Sequence, residues 1–294
     1  MQAFLINLAR RPDRLRVMTE QLNRLSLAFH RIPAVDANTA TETWVNGHFA
    51  GAGPLGAIPK GDKCCTLSHV RAWQAFLSTG DRFGLILEDD ALLDCAAAEL
   101  LQRTDWIPPS VELLKLEHFG PSGQRVLIGK LISVAANRSI AELHSRHTGA
   151  AAYIIGRGAA KTLVSSIPAW TVPVDHMLFN PNVSPLAKRL RPYQLLPAIA
   201  RQSSALGGET NIDAWRAVQR RLSSTYVKRE IVRAYYEMRL LPQQVARLVS
   251  RQGTLVRVQN EALNRALTAP LRTAEALRSS EPQIEHGEAL RLRR

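Results

Sequence analysis

Apolar positions in the first third of the chain alternate between short runs and helical stripes. Residues 3–8, Ala-Phe-Leu-Ile-Asn-Leu, predict a strand. Leu15, Met18, Leu22 and Leu25 then recur at helical spacing behind Pro12, which suits the first turn of a helix. A second strand is predicted over 28–32, so strand, helix and strand together predict a parallel sheet built from right-handed βαβ units. Five glycines and two prolines make 47–61 a loop. Leu67, Val70, Trp73 and Leu77 track one face of a helix over 63–78. Leu85-Ile86-Leu87 follows a glycine and is β-branched at its centre, which predicts a buried strand.

Beyond it, 96–103 predicts a short helix closed by Pro108-Pro109, and 112–119 a strand. Residues 126–128 and 131–134 predict a hairpin with Gly129-Lys130 at its turn. A strand follows at 148–155, whose small residues permit close approach to its backbone, and then a helix at 157–166. Pro173 opens a short helix, and 193–200 is the last predicted strand, followed by a loop at 203–208. The pattern then changes. Trp215, Val218, Leu222, Tyr226, Ile231, Tyr235 and Met238 form an apolar stripe with the arginines mostly off it, a basic amphipathic helix. A second helical pattern runs from 255 to 277, interrupted at Pro270.

At 294 residues the chain can form one large domain, or one domain plus an extension. No window approaches the roughly 18–20 apolar residues of a membrane span. The amino terminus places its charges after its apolar run, unlike a signal peptide. Three cysteines without metal-ligand spacing predict a reduced, cytoplasmic protein. The net charge is +13, and from Asp213 onward sixteen Lys and Arg stand against eight Asp and Glu. Such an excess attracts nucleic acid, anionic lipid or acidic substrates. Aromatics are only 6% and no recognition motif appears, which argues against nucleic acid.

The candidate chemistry begins where the strand at Leu85-Ile86-Leu87 meets Glu88-Asp89-Asp90. In an extended chain Glu88 and Asp90 share a side and Asp89 points the other way. Two like charges roughly 4 Å apart repel by about 4 kcal/mol at an effective dielectric near 20. Solvent, a shared proton or a divalent cation must relieve that, and oxygen-only ligands suit Mg²⁺ or Mn²⁺. A solvated acidic turn is the plainer alternative. Arg10, Arg11 and Arg14 at the end of the first strand can grip phosphate or simply open a solvated helix. Cys64 or Cys65 with His69 has the spacing of a thiol nucleophile or a zinc pair, but the sequence offers no third partner, so a structural helix is the better reading. Asp175 in a first helical turn is also what the helix dipole favours.

In order along the chain, these segments resemble glycosyltransferase family 25, the group containing bacterial lipooligosaccharide galactosyltransferases. The pieces are Ile6-Asn7-Leu8 with Arg11 and Asp13-Arg14, Cys65 through Ser68-His69 with Trp73, Leu87-Glu88-Asp89-Asp90, Lys115-Leu116-Glu117, Thr148-Gly149-Ala150 through Tyr153-Ile154-Ile155, Pro173-Val174-Asp175, and Pro197 with Gln202. None is specific alone; seven in one order over 1–210 are. Ala9 departs from the Asp that many members carry.

The resemblance implies an α/β fold with a GT-A-like, Rossmann-type sheet that binds a nucleotide sugar. The catalytic domain would span 1–210, and 211–294 would be a basic helical extension. It further implies an inverting transfer from a UDP-sugar, UDP-galactose first among them, to the glycan of a lipooligosaccharide or another surface glycoconjugate. Glu88 and Asp90 would hold a divalent cation, with Asp89 near the ribose or donor sugar. Asn7, Arg11 and Arg14 would contact uridine or phosphate. Asp175 is the candidate base, with Glu117 in reserve. The basic tail would hold the enzyme beside a lipid-linked acceptor at the cytoplasmic face of an anionic membrane. The readings that compete are a metal-dependent phosphohydrolase of nucleotide sugars using the same carboxylates and a basic nucleic-acid-binding protein.

Overall fold

The computed structural model describes residues 1–120, 123–167, 170–203 and 224–260. Within them the chain forms a three-layer α/β/α body around an eight-stranded sheet. Strand β1 (Gln2–Asn7) leads through helix α1 (Pro12–Arg24) to β2 (Phe29–Pro33), which pairs parallel to β1. The short α2 (Glu42–Asn46) and the long α3 (Lys60–Leu77) cross back to β3 (Phe83–Glu88), parallel to β1 on its other side. This is the parallel βαβ half that the hydrophobic pattern predicts.

Side chains alternate across these strands and divide the core in two. Phe4, Ile6, Ile86, Tyr153 and Ile155 face α3 and its neighbours in one cluster, with Trp73 and Phe76. Ala3, Leu5, Leu85, Leu87 and Ile154 face the other way, onto Met18 and Leu22 of α1. Both faces of the sheet are therefore covered, which is why its strands read as unbroken apolar runs.

The second half differs from expectation. A small strand β4 (Ala91–Leu93) and helix α4 (Ala96–Leu101) lead to β5 (Leu113–Lys115). The predicted strand over 112–119 is two strands: β6 (Glu117–His118) belongs to another sheet. Leu116 is the pivot. Its N–H donates to Ala152 O in the large sheet, and its carbonyl accepts from Ile199 and Ala200 N–H in the small one.

The hairpin expected around Gly129-Lys130 does not form. Instead β7 (Arg125–Ile128) pairs antiparallel with β13 (Thr254–Arg257), a segment read from sequence as the start of a helix. The partner of β8 (Ile132–Ser133) is β9 (Ser139–Glu142). Residues 148–151 are not strand; β10 (Ala152–Gly156) lies antiparallel between β3 and β5, so the sheet is mixed rather than parallel. A parallel neighbour needs a covering crossover. Helix α4 supplies one between β3 and β5, and among the described residues no helix lies between β5 and β10.

Helices α5 (Arg157–Ser165), α6 (Val174–Phe179) and α7 (Pro185–Leu190) follow. The predicted strand 193–200 also divides, at the cis Leu196–Pro197 bond. Its first part, β11 (Tyr193–Leu196), joins the large sheet, and β12 (Ala200–Gln202) sits between β4 and β6. Helix α8 (Ser224–Val249) then precedes β13. The amphipathic pattern before 224, the loop after 203 and the helical pattern beyond 260 lie outside the described residues.

Gly84 lets α3 pack close on the sheet: a Cβ added there would lie 2.7 Å from the Phe76 ring, inside contact distance. Gly84→Ala should therefore destabilise the protein by about 1–3 kcal/mol through overpacking. Urea unfolding would measure it, and an unchanged midpoint would refute the close packing of α3 on β3.

Candidate functional site

The carboxyl ends of β1 and β3 meet the start of α1, where open α/β sheets place their ligand crevices. Asn7, the last residue of β1, is buried and fully committed. Its Nδ2 donates to Asp89 Oδ2 at 2.7 Å and to Arg11 O at 3.0 Å, and its Oδ1 accepts from Arg31 Nε. Arg14, one turn into α1, donates to Asp89 Oδ1 at 3.0 Å and lies 3.9 Å from Asp90 Oδ2. Arg11 turns away and pairs with Asp13 on the surface at 2.6 Å. That pairing draws the Asp13 carboxyl down to about 2.

Strict alternation of the acidic triplet fails after Glu88. The strand ends there, Asp89 and Asp90 form the turn into β4, and Arg14 reaches both. A turn breaks the two-residue repeat on which alternation depends. Glu88 instead faces α3. His69 Nε2 lies 3.0 Å from Glu88 Oε1, and the Cys65 thiol donates weakly to the same oxygen at 3.9 Å. Cys65, His69 and Glu88 are thus neighbours, Glu88 being the third partner that sequence spacing does not reveal. Burial and the surrounding carboxylates push the Cys65 thiol well above its ordinary range, so it is no thiolate nucleophile.

A second arm comes from β5 and β6. Lys115 and Glu117, two residues apart on either side of the Leu116 pivot, are fully buried and joined at 2.9 Å. Lys115 also donates to the carbonyls of Thr148 and Gly149 and lies 4.5 Å from the centre of the Phe179 ring. Glu117 Oε1 accepts from Ala151 N–H as well. The small residues at 148–151 thus admit Lys115 and Glu117 to the backbone; a Cβ on Gly149, where φ is +90°, would meet Glu117 Oε1 at 2.9 Å. Burial lowers the Lys115 pKa and raises that of Glu117, and the pair offsets both shifts.

These arms converge electrostatically. Burial first, then Glu88, Asp89 and Glu117, push Asp90 up from 3.8 to about 8, against the pull of Arg14. Asp90 Oδ1 and Glu117 Oε2 are buried and accept no hydrogen bond. Both orphaned oxygens are hard donors of the kind that suit a divalent cation such as Mg²⁺ or Mn²⁺, while among the described residues the group whose ligand atoms lie within 4.8 Å of one another is Cys65, His69 and Glu88. Asp175, half-buried in the first turn of α6, accepts from His176 N–H at 2.8 Å. It lies within electrostatic reach of Lys115 and Cys65. Sequence reading placed Lys115 and Tyr153 in family motifs without giving them a role, and took His69 as a supporting or structural residue. The Lys-x-Glu spacing on a strand, which puts both side chains on one side, is the signal that could have found the first.

A mixed α/β body with acidic side chains at its strand ends is the frame of many nucleotide-dependent enzymes. The comparison with known families is specific: residues 1–178 match the model of glycosyltransferase family 25 (LPS biosynthesis protein), and the chain belongs to that family. This is the family to which the ordered motifs point. Among relatives, the chain is 31% identical over 156 residues to the lipooligosaccharide biosynthesis protein lex-1 of Haemophilus influenzae, covering 49% of this chain and 50% of lex-1. It is 27% identical over 218 residues to the lacto-N-neotetraose biosynthesis glycosyltransferase LgtB of Neisseria meningitidis, covering 69% of this chain and 74% of LgtB. The match to lex-1 thus spans about half the length of that relative. A solved glycosyltransferase involved in glycosylation of the major capsid of PBCV-1 aligns over 79% of this chain and 98% of its own at a TM-score of 0.34 and 9% identity.

The pH dependence of stability follows from Asp90. Its folded pKa lies above the unfolded value, so its contribution is complete below about pH 4 and is lost as pH rises towards 8. The cation-free protein should lose stability across that window, and Asp90→Asn should flatten the loss. Thermal melts at pH 5 and pH 8 would show it; an equal pH slope in the variant would refute the assignment.

Proposed function

We propose that this protein is an inverting glycosyltransferase that moves a sugar, galactose in our reading, from a UDP-sugar to the glycan of a lipooligosaccharide or related surface glycoconjugate. The observation that carries it is the pair of orphaned buried oxygens on Asp90 and Glu117 beside Glu88, at the carboxyl end of the sheet in a family 25 chain. The names of the relatives, which speak of lipooligosaccharide biosynthesis, support the acceptor class. The parallel order β2-β1-β3, with the site at its strand ends, supports a GT-A-like donor fold.

In this reading Glu88, Asp90 and Glu117 hold a divalent cation, which supplies charge neutralisation to the departing nucleoside diphosphate. Asn7 and Arg14 aim Asp89 at the ribose or donor sugar, and Arg11, tied only to an exposed partner, is free to turn to phosphate. Between the two candidate bases, Asp175 is the accessible one. Glu117 is fully buried and bonded to Lys115, which suits a structural and cation-binding role. Asp175 would take the proton from the acceptor hydroxyl as it attacks the anomeric carbon, a step worth about 10²–10⁴ in rate. The donor chemistry falls within 1–210, and the basic residues of 211–294 serve attachment.

That attachment has a surface to work with. On α8, Ile231, Tyr235, Met238, Leu241, Val245 and Leu248 are exposed at helical spacing. Glu237 bridges to Arg146 at 3.3 Å and Arg247 donates to His144, both contacts to the body of the protein. No described helix is long and apolar enough to cross a membrane. An apolar stripe on a basic helix suits peripheral binding to an anionic leaflet, here its cytoplasmic face.

Calorimetric titration with UDP-galactose, UDP-glucose and UDP-N-acetylglucosamine, with and without Mn²⁺, tests the donor site. Metal-dependent binding, strongest for UDP-galactose, should vanish in Glu88→Gln/Asp90→Asn. Asp175→Asn should keep donor binding and lose about 10²–10⁴-fold in kcat. Absence of binding in the intact protein would overturn the transferase reading, and donor breakdown with no need of acceptor would favour the phosphohydrolase. For attachment, the protein should sediment with anionic vesicles at low salt, and Met238→Asp/Leu241→Asp should release it. Vesicle binding unchanged in that variant would refute the role of α8.

A further inference from the structure

Behind Glu88 lies a chain of buried polar side chains that the proposed chemistry does not use. Trp73 Nε1 lies 2.7 Å from the Tyr153 hydroxyl, the hydroxyl 2.9 Å from His69 Nδ1, and His69 Nε2 3.0 Å from Glu88 Oε1. Trp73, His69 and Tyr153 are fully buried. Their hydrogens can be assigned from the donor and acceptor inventory. An indole nitrogen only donates, so Trp73 gives its hydrogen to the Tyr153 oxygen. An ionised carboxylate only accepts, so His69 Nε2 carries a hydrogen towards Glu88. Tyr153 then has one hydrogen to place, and His69 Nδ1 is the acceptor within reach. Every group is satisfied in that arrangement. The opposite tautomer would set a bare Nε2 against a carboxylate oxygen and leave the tyrosine hydrogen unplaced, a costly arrangement where water is excluded.

We propose that Trp73, Tyr153 and His69 are positioning residues: they hold His69 as the Nε2–H tautomer, which occupies Glu88 Oε1 and presents Oε2 to the donor-site cation. The inference rests on the cation reading above. In this arrangement Cys65, His69 and Glu88 could take a metal only if His69 Nε2 first gave up the hydrogen it donates to the carboxylate. Second-layer partners of this kind fix the orientation of a ligand, and losing one typically costs about 10–100-fold in metal affinity.

The test is ¹⁵N NMR of the histidine-labelled protein together with Mn²⁺ titration followed by electron paramagnetic resonance in the presence of UDP. In the intact protein His69 should carry its proton on Nε2. Tyr153→Phe removes the donor to Nδ1 and leaves that nitrogen unpartnered in a dry site, so its ¹⁵N shift should move while Nε2 keeps its proton, the ring should hold Glu88 less firmly, and Mn²⁺ affinity should fall about 10–100-fold. Trp73→Phe, which removes only the outer donor, should act in the same direction with a smaller effect and serves if Tyr153→Phe does not fold. A proton on Nδ1 in the intact protein overturns the proposal. So does unchanged Mn²⁺ affinity in folded Tyr153→Phe protein whose Nδ1 shift has moved, or a thiolate-to-metal charge-transfer band with Co²⁺ that disappears in Cys65→Ser. Absence of Mn²⁺ binding by the intact protein would defeat the cation reading instead, while the tautomer, read in the same sample, still decides the relay.

Discussion

Carboxylates gathered at one end of a sheet repel one another, and the residues around this site are arranged against that repulsion. Glu88 has one oxygen anchored by His69 and Glu117 has one anchored by Lys115 and the Ala151 N–H, while Asp89 has both anchored by Asn7 and Arg14. Lys115 matters most, because a fully buried ammonium meets a fully buried carboxylate and both lack water. Breaking such a pair from one side typically costs about 3–5 kcal/mol, since the survivor is left charged and unsolvated. The anchors do not neutralise the cluster. Asp90 Oδ1 and Glu117 Oε2 stay without partners, and the raised Asp90 pKa registers its burial first and then the negative charge of Glu88, which a cation would offset.

The backbone that delivers these groups is bent where it matters. At Leu116 one segment passes from the eight-stranded sheet to the three-stranded one, so Lys115 and Glu117 belong to different sheets yet touch. The segment 193–200 makes the same passage, and β12 returns beside β4, where Ser203 N–H donates to Asp90 O. Two sheets thus close on the turn that carries Asp89 and Asp90. The site is a junction, which is how side chains far apart in sequence come to share one field.

The carboxyl-terminal part of the described chain belongs to the same body. Strand β13 completes β7, Val258 is buried in the core, and Tyr236 packs against it from α8. One side of α8 is thereby held, and the apolar stripe on its other side stays open to solvent. A helix fixed in this way can present that stripe without changing the turn that carries Asp89 and Asp90.

Much of this was legible from local patterning. The 3.6-residue and two-residue repeats mark α1, α3, α5, β1, β2 and β3, because each element buries a face that its own sequence must supply. The acidic triplet after an apolar run marks the candidate site, and the ordered motifs mark the family. What local patterning cannot report is which distant segment completes a pair. Only the tertiary structure divides 112–119 and 193–200 between two sheets, gives β7 a partner at 254–257, turns Asp89 and Asp90 towards one arginine, and sets His69 against Glu88. Those outcomes depend on contacts between residues remote in sequence. A periodicity says that a residue is buried, but not what it is buried against.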